Sequence, residues 1–513
     1  MFVPVASRVL GAARVTCGKV QPSAMYKETL SKDLSKLAAV EHATQALGRR
    51  FARIGWALLF LAITSNVAMI ATVGMDHQLF IVAAGVIGGY MALNIGANDV
   101  ANNVGPAVGS RALSMVGALI IAAVFESLGA IIAGGDVVKT ISKGIVDPVQ
   151  IGDPNIFIWA MMSALLAAAL WVNLATYLSA PVSTTHAVVG GVMGAGISAA
   201  GFGVVDWHVM GAIAASWVVS PIMGGVIAAG FLAFIKFNVI YREDKIAGAK
   251  RWVPVLVALM AGVFSAYLIM KGLKKIWHPG PEMVVAVGFG VYLLTYAIVR
   301  PIIHRRAAGM ENRNKSVRSL FTLPLICAAA LLSFAHGAND VANAVGPLAA
   351  VVDTAATGGT HGKVGIPSWV LFVGAAGITM GLLLFGPKLI RTVGAEITKM
   401  NPMRAYCVAL AAAVTVIIAS ALGLPVSSTH IAVGAVFGVG FFREWITGRK
   451  AHITQGLTAK DGDAATDTAE RNRRRKLVRR QHVMTIVAAW LVTVPSAALL
   501  GAGLFQLFAW AFS

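Results

Sequence analysis

Two aspartates, Asp99 and Asp340, each stand in a near-identical stretch at the end of an apolar run. Residues 96–106 read GANDVANNVGP and residues 337–347 read GANDVANAVGP, differing only where Asn103 stands against Ala344. A carboxylate at membrane depth costs about 2.5–3.5 kcal/mol on insertion scales, so it is functional by default. Asn98, Asp99 and Asn102 fall at i, i+1 and i+4, as do Asn339, Asp340 and Asn343. The first and last of each trio share a helical face. Gly96 and Gly337 allow a chain break or a close backbone approach. Carboxylate and amide oxygens with freed backbone carbonyls make a site for a hard cation. The competing reading is Asp and Asn capping a helix and neutralising a nearby base. It is the weaker one, because neither motif has an adjacent Lys or Arg.

A second pair of motifs offers the opposite chemistry. Residues 181–186 read PVSTTH and residues 425–430 read PVSSTH. Proline suits a turn or a first helical position, and Ser and Thr are good N-caps. First-turn amides have no partner inside the helix. Glycines follow at Gly190, Gly191 and Gly434. Ser183, Thr184 and Thr185, and in the other copy Ser427, Ser428 and Thr429, are therefore expected at helix starts inside the membrane. Amides, hydroxyls and the positive end of the helix dipole together suit an anion. Two such starts facing each other across a pseudo-two-fold axis can cradle a tetrahedral oxyanion. For one copy, plain capping of a broken helix is as good an account; recurrence beside the Asp motif favours the site. His186 and His430 close the motifs. Satisfying a helix-end carbonyl is their simpler role, and donation to the anion or titration near neutral pH the other. Glu126 lies inside an apolar run, where it either relays protons, completes a cation site or pairs with a buried polar group.

The elements that carry these motifs are membrane helices. The chain has 513 residues, 57% hydrophobic and 12% charged, against about 25% charged in soluble domains. It reads as an all-α polytopic membrane protein with thirteen apolar runs, most long enough for the roughly 20 residues that cross a bilayer. Two runs, Thr184–Ala200 and Ile431–Phe442, are short and glycine-rich. They are expected to be broken or partial helices lining an internal cavity. The net charge of +20 comes from basic residues between runs, which marks cytoplasmic loops rather than a nucleic-acid partner. Cys17, Cys327 and Cys407 have neither disulfide nor metal spacing.

The motifs recur in order at similar distances: 181 − 99 = 82 residues in one copy and 425 − 340 = 85 in the other. A third echo joins ASWVVSP at 215–221 to AAWLVTVP at 488–495. This divides the chain into a polar tail (1–50), an extra helix (51–78), repeat 1 (79–235), a linking helix pair with basic loops (236–319) and repeat 2 (320–513), the last carrying a basic insertion at 443–480. Seven runs separate equivalent positions. If all cross, the second repeat is inverted, the plan of secondary transporters with a midplane site. If Thr184–Ala200 enters and leaves by one face, the repeats are parallel. Placing the N-terminus inside puts the loops at 236–251, 304–318, 388–404 and 443–480 inside, as the positive-inside rule asks. Lys271, Lys274 and Lys275 dissent. The first 27 residues hold Arg8, Arg14, Lys19 and Lys27 and no acid, like an organellar transit peptide, but Glu28, Asp33 and Glu41 favour a cytoplasmic tail. RNRRRK at 471–476 adjoins the last span and reads as a topology anchor or anionic-lipid contact.

The paired GANDVAN motifs, each followed by PVS(S/T)TH, resemble the inorganic phosphate transporter (PiT) family over about residues 79–512. The resemblance implies symport of inorganic phosphate with Na⁺ or H⁺ and a homodimer; the expected location is the cytoplasmic (inner) membrane, with an organellar membrane as the alternative. It implies that Ser183, Thr184, Thr185, Ser427, Ser428 and Thr429 contact phosphate. Asn98, Asp99, Asn339 and Asp340 would hold coupling cations. Some proton-coupled members have a GFHD-type first motif; GAND in both copies points to Na⁺. Close relatives of the family carry sulfate, so a sulfate permease is the alternative. No cofactor is implied, and no GxSxG or HExxH motif suggests an enzyme.

Overall fold

The computed structural model describes residues 48, 51–178, 180–272, 279–358, 365–396, 400–458 and 480–512. The tail at 1–50, apart from Gly48, and residues 459–479 with RNRRRK lie outside them, as do Lys274 and Lys275. The chain divides into a unit Met1–Trp56, helical where described, and a unit Ala57–Ser513 that holds all the repeated motifs.

Each of the thirteen apolar runs is a helix. In order they are α1 Phe51–Ala71, α2 Gln78–Gly109, α3 Met115–Ala133, α4 Pro154–Tyr177, α5 Thr184–Ala200, α6 Trp207–Ile235 and α7 Lys245–Tyr267. There follow α8 Pro281–Ala307, α9 Thr322–Thr357, α10 Ser368–Leu384, α11 Pro402–Ala421, α12 Ser428–Thr458 and α13 Arg480–Phe512. Among the described residues ten helices are long and apolar enough to cross a membrane; α10 bends by 60° into Gly386–Thr392 and makes an eleventh. The other two are α5 and α12, the helices that start at the PVS motifs. α5 has 17 residues, about 26 Å, just short of a bilayer core.

One local expectation is settled: neither GANDVAN motif breaks its helix, since α2 and α9 run through it for 32 and 36 residues. Pro106 and Pro347 have no N–H, so the carbonyls of Asn102 and Asn343 leave the helical ladder. The run Ile431–Phe442 lies in α12, which starts at the PVS motif and continues to Thr458. Gly96 and Gly337 serve the close approach instead. A Cβ on Gly96 would overlap the carbonyl oxygen of Ile378 in α10, and one on Gly337 that of Glu126 in α3.

These notches show how the repeats are joined. α3 of the first repeat packs on α9 of the second, with Gly129 against the Phe334 carbonyl; α10 packs on α2, with Gly381 against the Leu93 carbonyl. The same exchange recurs among later helices: Gly190 of α5 abuts Val494 of α13, and Gly434 of α12 abuts Pro221 of α6. Small residues of this kind let membrane helices approach closely. α2 and α9 are antiparallel, for Gly88 meets Leu348 while Asp99, eleven residues on, meets His336, twelve back. The repeats are inverted.

Charged loops separate to two ends. Lys143 pairs with Asp353, near the end of α9, at 2.8 Å. At the other end Lys236, Arg318, Arg404 and Arg443 line one pocket. α11 runs between them, with Arg404 at its start and Ala421 at its end; the Lys271 ammonium donates to the Ala421 carbonyl at 2.9 Å. Lys271, which dissents from the loop rule, is neutralised there by Asp136 at 2.9 Å. The end of α5 lies beside the start of α4, because Asp147 N–H donates to the Val204 carbonyl at 2.9 Å and Val146 bridges to Val205. α4 and α5 are thus two antiparallel legs whose turn reaches the Asp99 motif.

Candidate functional site

The turn before α5 and the turn before α12 meet at the middle of α2 and α9. Each Asp motif is tied first to the PVS motif of its own repeat. The Thr184 hydroxyl donates to Asp99 Oδ2 at 2.8 Å, and the Ser428 hydroxyl to Asp340 Oδ2 at 2.9 Å. The Asn98 amide lies 2.9 Å from Thr176 Oγ1 and the Asn339 amide 2.9 Å from Ser420 Oγ. With the Asn98 oxygen turned to that hydroxyl, its NH₂ reaches Asp99 Oδ1 and the Val182 carbonyl, both at 3.3 Å. The partners correspond in position, Thr184 with Ser428 and Thr176 with Ser420, but the turned Asn98 amide differs from that of Asn339, whose NH₂ donates to Ser420 Oγ and the Leu424 carbonyl.

The next bonds cross between repeats, also reciprocally. Thr185 Oγ1 donates to the Val426 carbonyl at 3.0 Å, and Thr429 Oγ1 lies 3.4 Å from that of Val182 and 3.3 Å from Asp99 Oδ1. Asn102 donates to Thr429 Oγ1 at 2.8 Å, and Asn343 to Thr185 Oγ1 at 3.1 Å. A hydroxyl has a single hydrogen, so Thr429 chooses between its two acceptors. Asn102 and Asn343 thus bridge the halves, and the Asn343 amide also reaches its own Asp340 Oδ1 at 3.5 Å. Ser183 and Ser427 take the N-cap role, each accepting from the backbone N–H three residues on, at 3.1 and 3.3 Å.

All six hydroxyl residues are at most 4% exposed, and Asp99 and Asp340 are 1% exposed. The site is closed to both sides. Behind it the imidazoles of His186 and His430 meet edge to face, 4.4 Å between centroids, with Trp217 3.8 Å from His186. Neither histidine reaches the aspartates in the described contacts.

Three residues of the site are not singled out by the sequence, and the first corrects the view that no base adjoins the motifs. His336, one turn before Asp340, lies fully buried among three carboxylates. Its Nε2 is 2.8 Å from Asp340 and 3.8 Å from Asp99, and its Nδ1 is 3.4 Å from Glu126. Glu126 also accepts from Asn103 at 2.7 Å. The pseudo-symmetric positions are Ile95, Ile378 and Ala344. One flank of the site is therefore ionisable and its mirror flank is hydrocarbon. The available signal was a histidine at i−4 from Asp340, on the same helical face. Comparison of the two repeats hid it, because its counterpart is Ile95. Thr176 and Ser420 escaped for a different reason: they stand one helix away from any motif.

Asp99, His336 and Asp340 each offer one ligand atom within 4.8 Å of the others. Around them Asn103 Oδ1, Glu126 Oε2 and Asn343 Oδ1 are buried acceptor oxygens with no hydrogen-bond donor among the described residues. An unsatisfied acceptor at bilayer depth costs several kcal/mol, and a cation is the group that would satisfy such a set. Hydroxyls and helix starts for an anion thus stand against carboxylates and amide oxygens for a cation.

Two repeats of membrane helices closed around a buried polar site make this a polytopic helical membrane protein. Comparison with known proteins narrows the class. The description of the phosphate transporter family matches residues 95–501, and the chain belongs to that family. A relative in Helicobacter pylori strain J99, named a phosphate permease, is 48% identical, the match covering 92% of this chain and 98% of the relative. One in Pyrococcus abyssi with the same designation is 36% identical over 84% of this chain and 99% of its own. A solved structure described as the sodium-dependent phosphate transporter superposes with a TM-score of 0.75 at 34% identity, covering 84% of this chain and 99% of that one.

Proposed function

We propose that this protein takes up inorganic phosphate by symport with Na⁺, or with H⁺ in its place, by alternating access in the cytoplasmic (inner) membrane. The carrying observation is that the hydroxyls of the anion site are held by the carboxylates of the cation site, Thr184 on Asp99 and Ser428 on Asp340. Without a cation the hydroxyl hydrogens of Thr184 and Ser428 are committed to the aspartates. A cation on Asp99 or Asp340 takes up the carboxylate charge, and the hydroxyls are released to donate to phosphate. Coupling then has a simple physical basis: the anion finds its donors only after the cation has arrived. Co-bound cations also offset the inside-negative potential, worth about 2.3 kcal/mol per charge per 100 mV against an anion.

The cross-repeat bonds of Thr185 and Thr429 close the site, so opening to either side has to part them. Glu126 and His336 extend the acidic cluster on one flank, where they would complete a cation site or pass a proton. The relatives named phosphate permeases, and the structure described as sodium-dependent, favour phosphate and Na⁺ over the sulfate reading. The family resemblance supports a homodimer. Uptake of labelled phosphate into proteoliposomes, with Na⁺ and pH gradients imposed in turn, tests the reading. Accumulation driven by neither gradient would overturn it.

A further inference from the structure

Away from the aspartates, a cavity of about 1070 Å³ opens on the flank of the protein between α6, α12 and α13. Its walls are hydrocarbon and aromatic. Val218, Ile222 and Val226 of α6 and Leu491 of α13 are 62–73% exposed there, with Phe437 and Phe441 of α12 opposite. Along α6 it runs from Ala214 to Ala229, about 22 Å at the helical rise. That is longer than the roughly 15 Å hydrocarbon depth of one leaflet.

The α6 stripe does not end there. Gly225 and Ala229 line the groove, and Leu232 of α6 with Lys236 and Ile240 of the π-helical turn Lys236–Ile240 that continues it line a second, polar pocket of about 120 Å³. The two meet where Lys236 Nζ lies 5.4 Å above the ring of Phe442, a wall residue of the groove. Besides Lys236 the small pocket is lined by Arg318, Arg404 and Arg443, with Asn314 and Asn401. The four cations come from four separate parts of the chain, and among the described residues no acidic residue lines the pocket. Arg404 Nε is buried without a hydrogen-bond partner among the described residues. Convergent guanidinium groups are the usual recognition element for phosphate oxygens. By the loop charges this is the cytoplasmic end, where the leaflet is anionic.

We propose that this paired pocket and groove seats an anionic phospholipid, its phosphate among Lys236, Arg318, Arg404 and Arg443 and an acyl chain along α6 and α12. The lipid lies across the joint between α6 of the first repeat and α12 of the second.

The test is lipid retention by the full-length protein, purified from bilayers of equal phosphatidylglycerol and phosphatidylcholine and read by native mass spectrometry. Wild type retains phosphatidylglycerol at least tenfold over phosphatidylcholine. Arg318→Gln, Arg404→Gln and Arg443→Gln each lower that preference about fivefold. Val226→Trp, which fills the groove without touching a charge, lowers retention as well and stands as the test should an arginine variant not fold. Equal retention of the two lipids, or unchanged preference in the arginine variants, overturns the proposal. So does complete displacement by millimolar inorganic phosphate with no effect of Val226→Trp, which would make the pocket a site for free anions.

Discussion

The hydroxyl of Thr184 donates to Asp99 Oδ2 at 2.8 Å, so a group suited to an anion is held by a group suited to a cation. The second repeat repeats the arrangement with Ser428 and Asp340. The expectations below follow from this linkage and from the packing that enforces it.

Asp99→Asn or Asp340→Asn removes a charge while keeping shape. Each is expected to abolish concentrative phosphate uptake and to leave a folded, membrane-inserted protein. Hydrogen bonds to charged groups are worth about 1.5–3 kcal/mol, so cation affinity should fall about tenfold to over a hundredfold. Proteoliposome uptake beside a size-exclusion profile measures both. Normal accumulation in both variants would remove the cation role.

Thr184→Val keeps the volume of the side chain and deletes its hydrogen. We expect phosphate half-saturation to rise about tenfold, corresponding to one lost donor to a charged group. Thr184→Ser should restore it. A Thr184→Val variant with wild-type phosphate dependence at every Na⁺ concentration would contradict the release of hydroxyls by the cation.

Glu126→Gln retains a partner for Asn103 but leaves His336 with one carboxylate fewer. The expected effect is a change in cation dependence of uptake, smaller than that of Asp99→Asn, with phosphate half-saturation at saturating cation little altered. Titrating Na⁺ at fixed phosphate, at two pH values, reads it. Identical cation curves for variant and wild type would confine Glu126 to packing.

Gly96→Ala and Gly337→Ala place a methyl group on the backbone of a facing helix, at Ile378 and Glu126. Overpacking in a tight core costs about 1–3 kcal/mol, and a backbone clash stands at the upper end. Thermal unfolding midpoints should fall sharply for both. Gly135→Ala, which has nothing within 4 Å, serves as the matched control and should be neutral. Equal midpoints across the three would refute the notches.

Much of this was legible in the residues themselves. The doubled GANDVAN and PVS motifs gave the two repeats and the residue types that meet at the site, because each is a local pattern written twice; that the hydroxyls bond the carboxylates, and that the second repeat is inverted, was not legible, because the short run Thr184–Ala200 left the parity open. Helix continuity through GANDVAN was not legible. Glycine is equally compatible with a break and with a notch, and only the neighbour decides between them. The neighbours themselves, α10 on α2 and α3 on α9, are exchanged between repeats and leave no mark in sequence order. His336 was overlooked because a search for symmetry discards what occurs once.

The exchange of helices has a consequence for how the protein is made. When repeat 1 emerges from the ribosome, the notches at Gly96 and Gly129 have no partner, since the surfaces that fill them, at Ile378 and Phe334, are encoded 378 − 96 = 282 and 334 − 129 = 205 residues later. Half-built protein must wait in the bilayer with its polar centre uncovered. Neither half is then a viable ancestor or fragment alone, and two separately encoded halves should accumulate only when produced together.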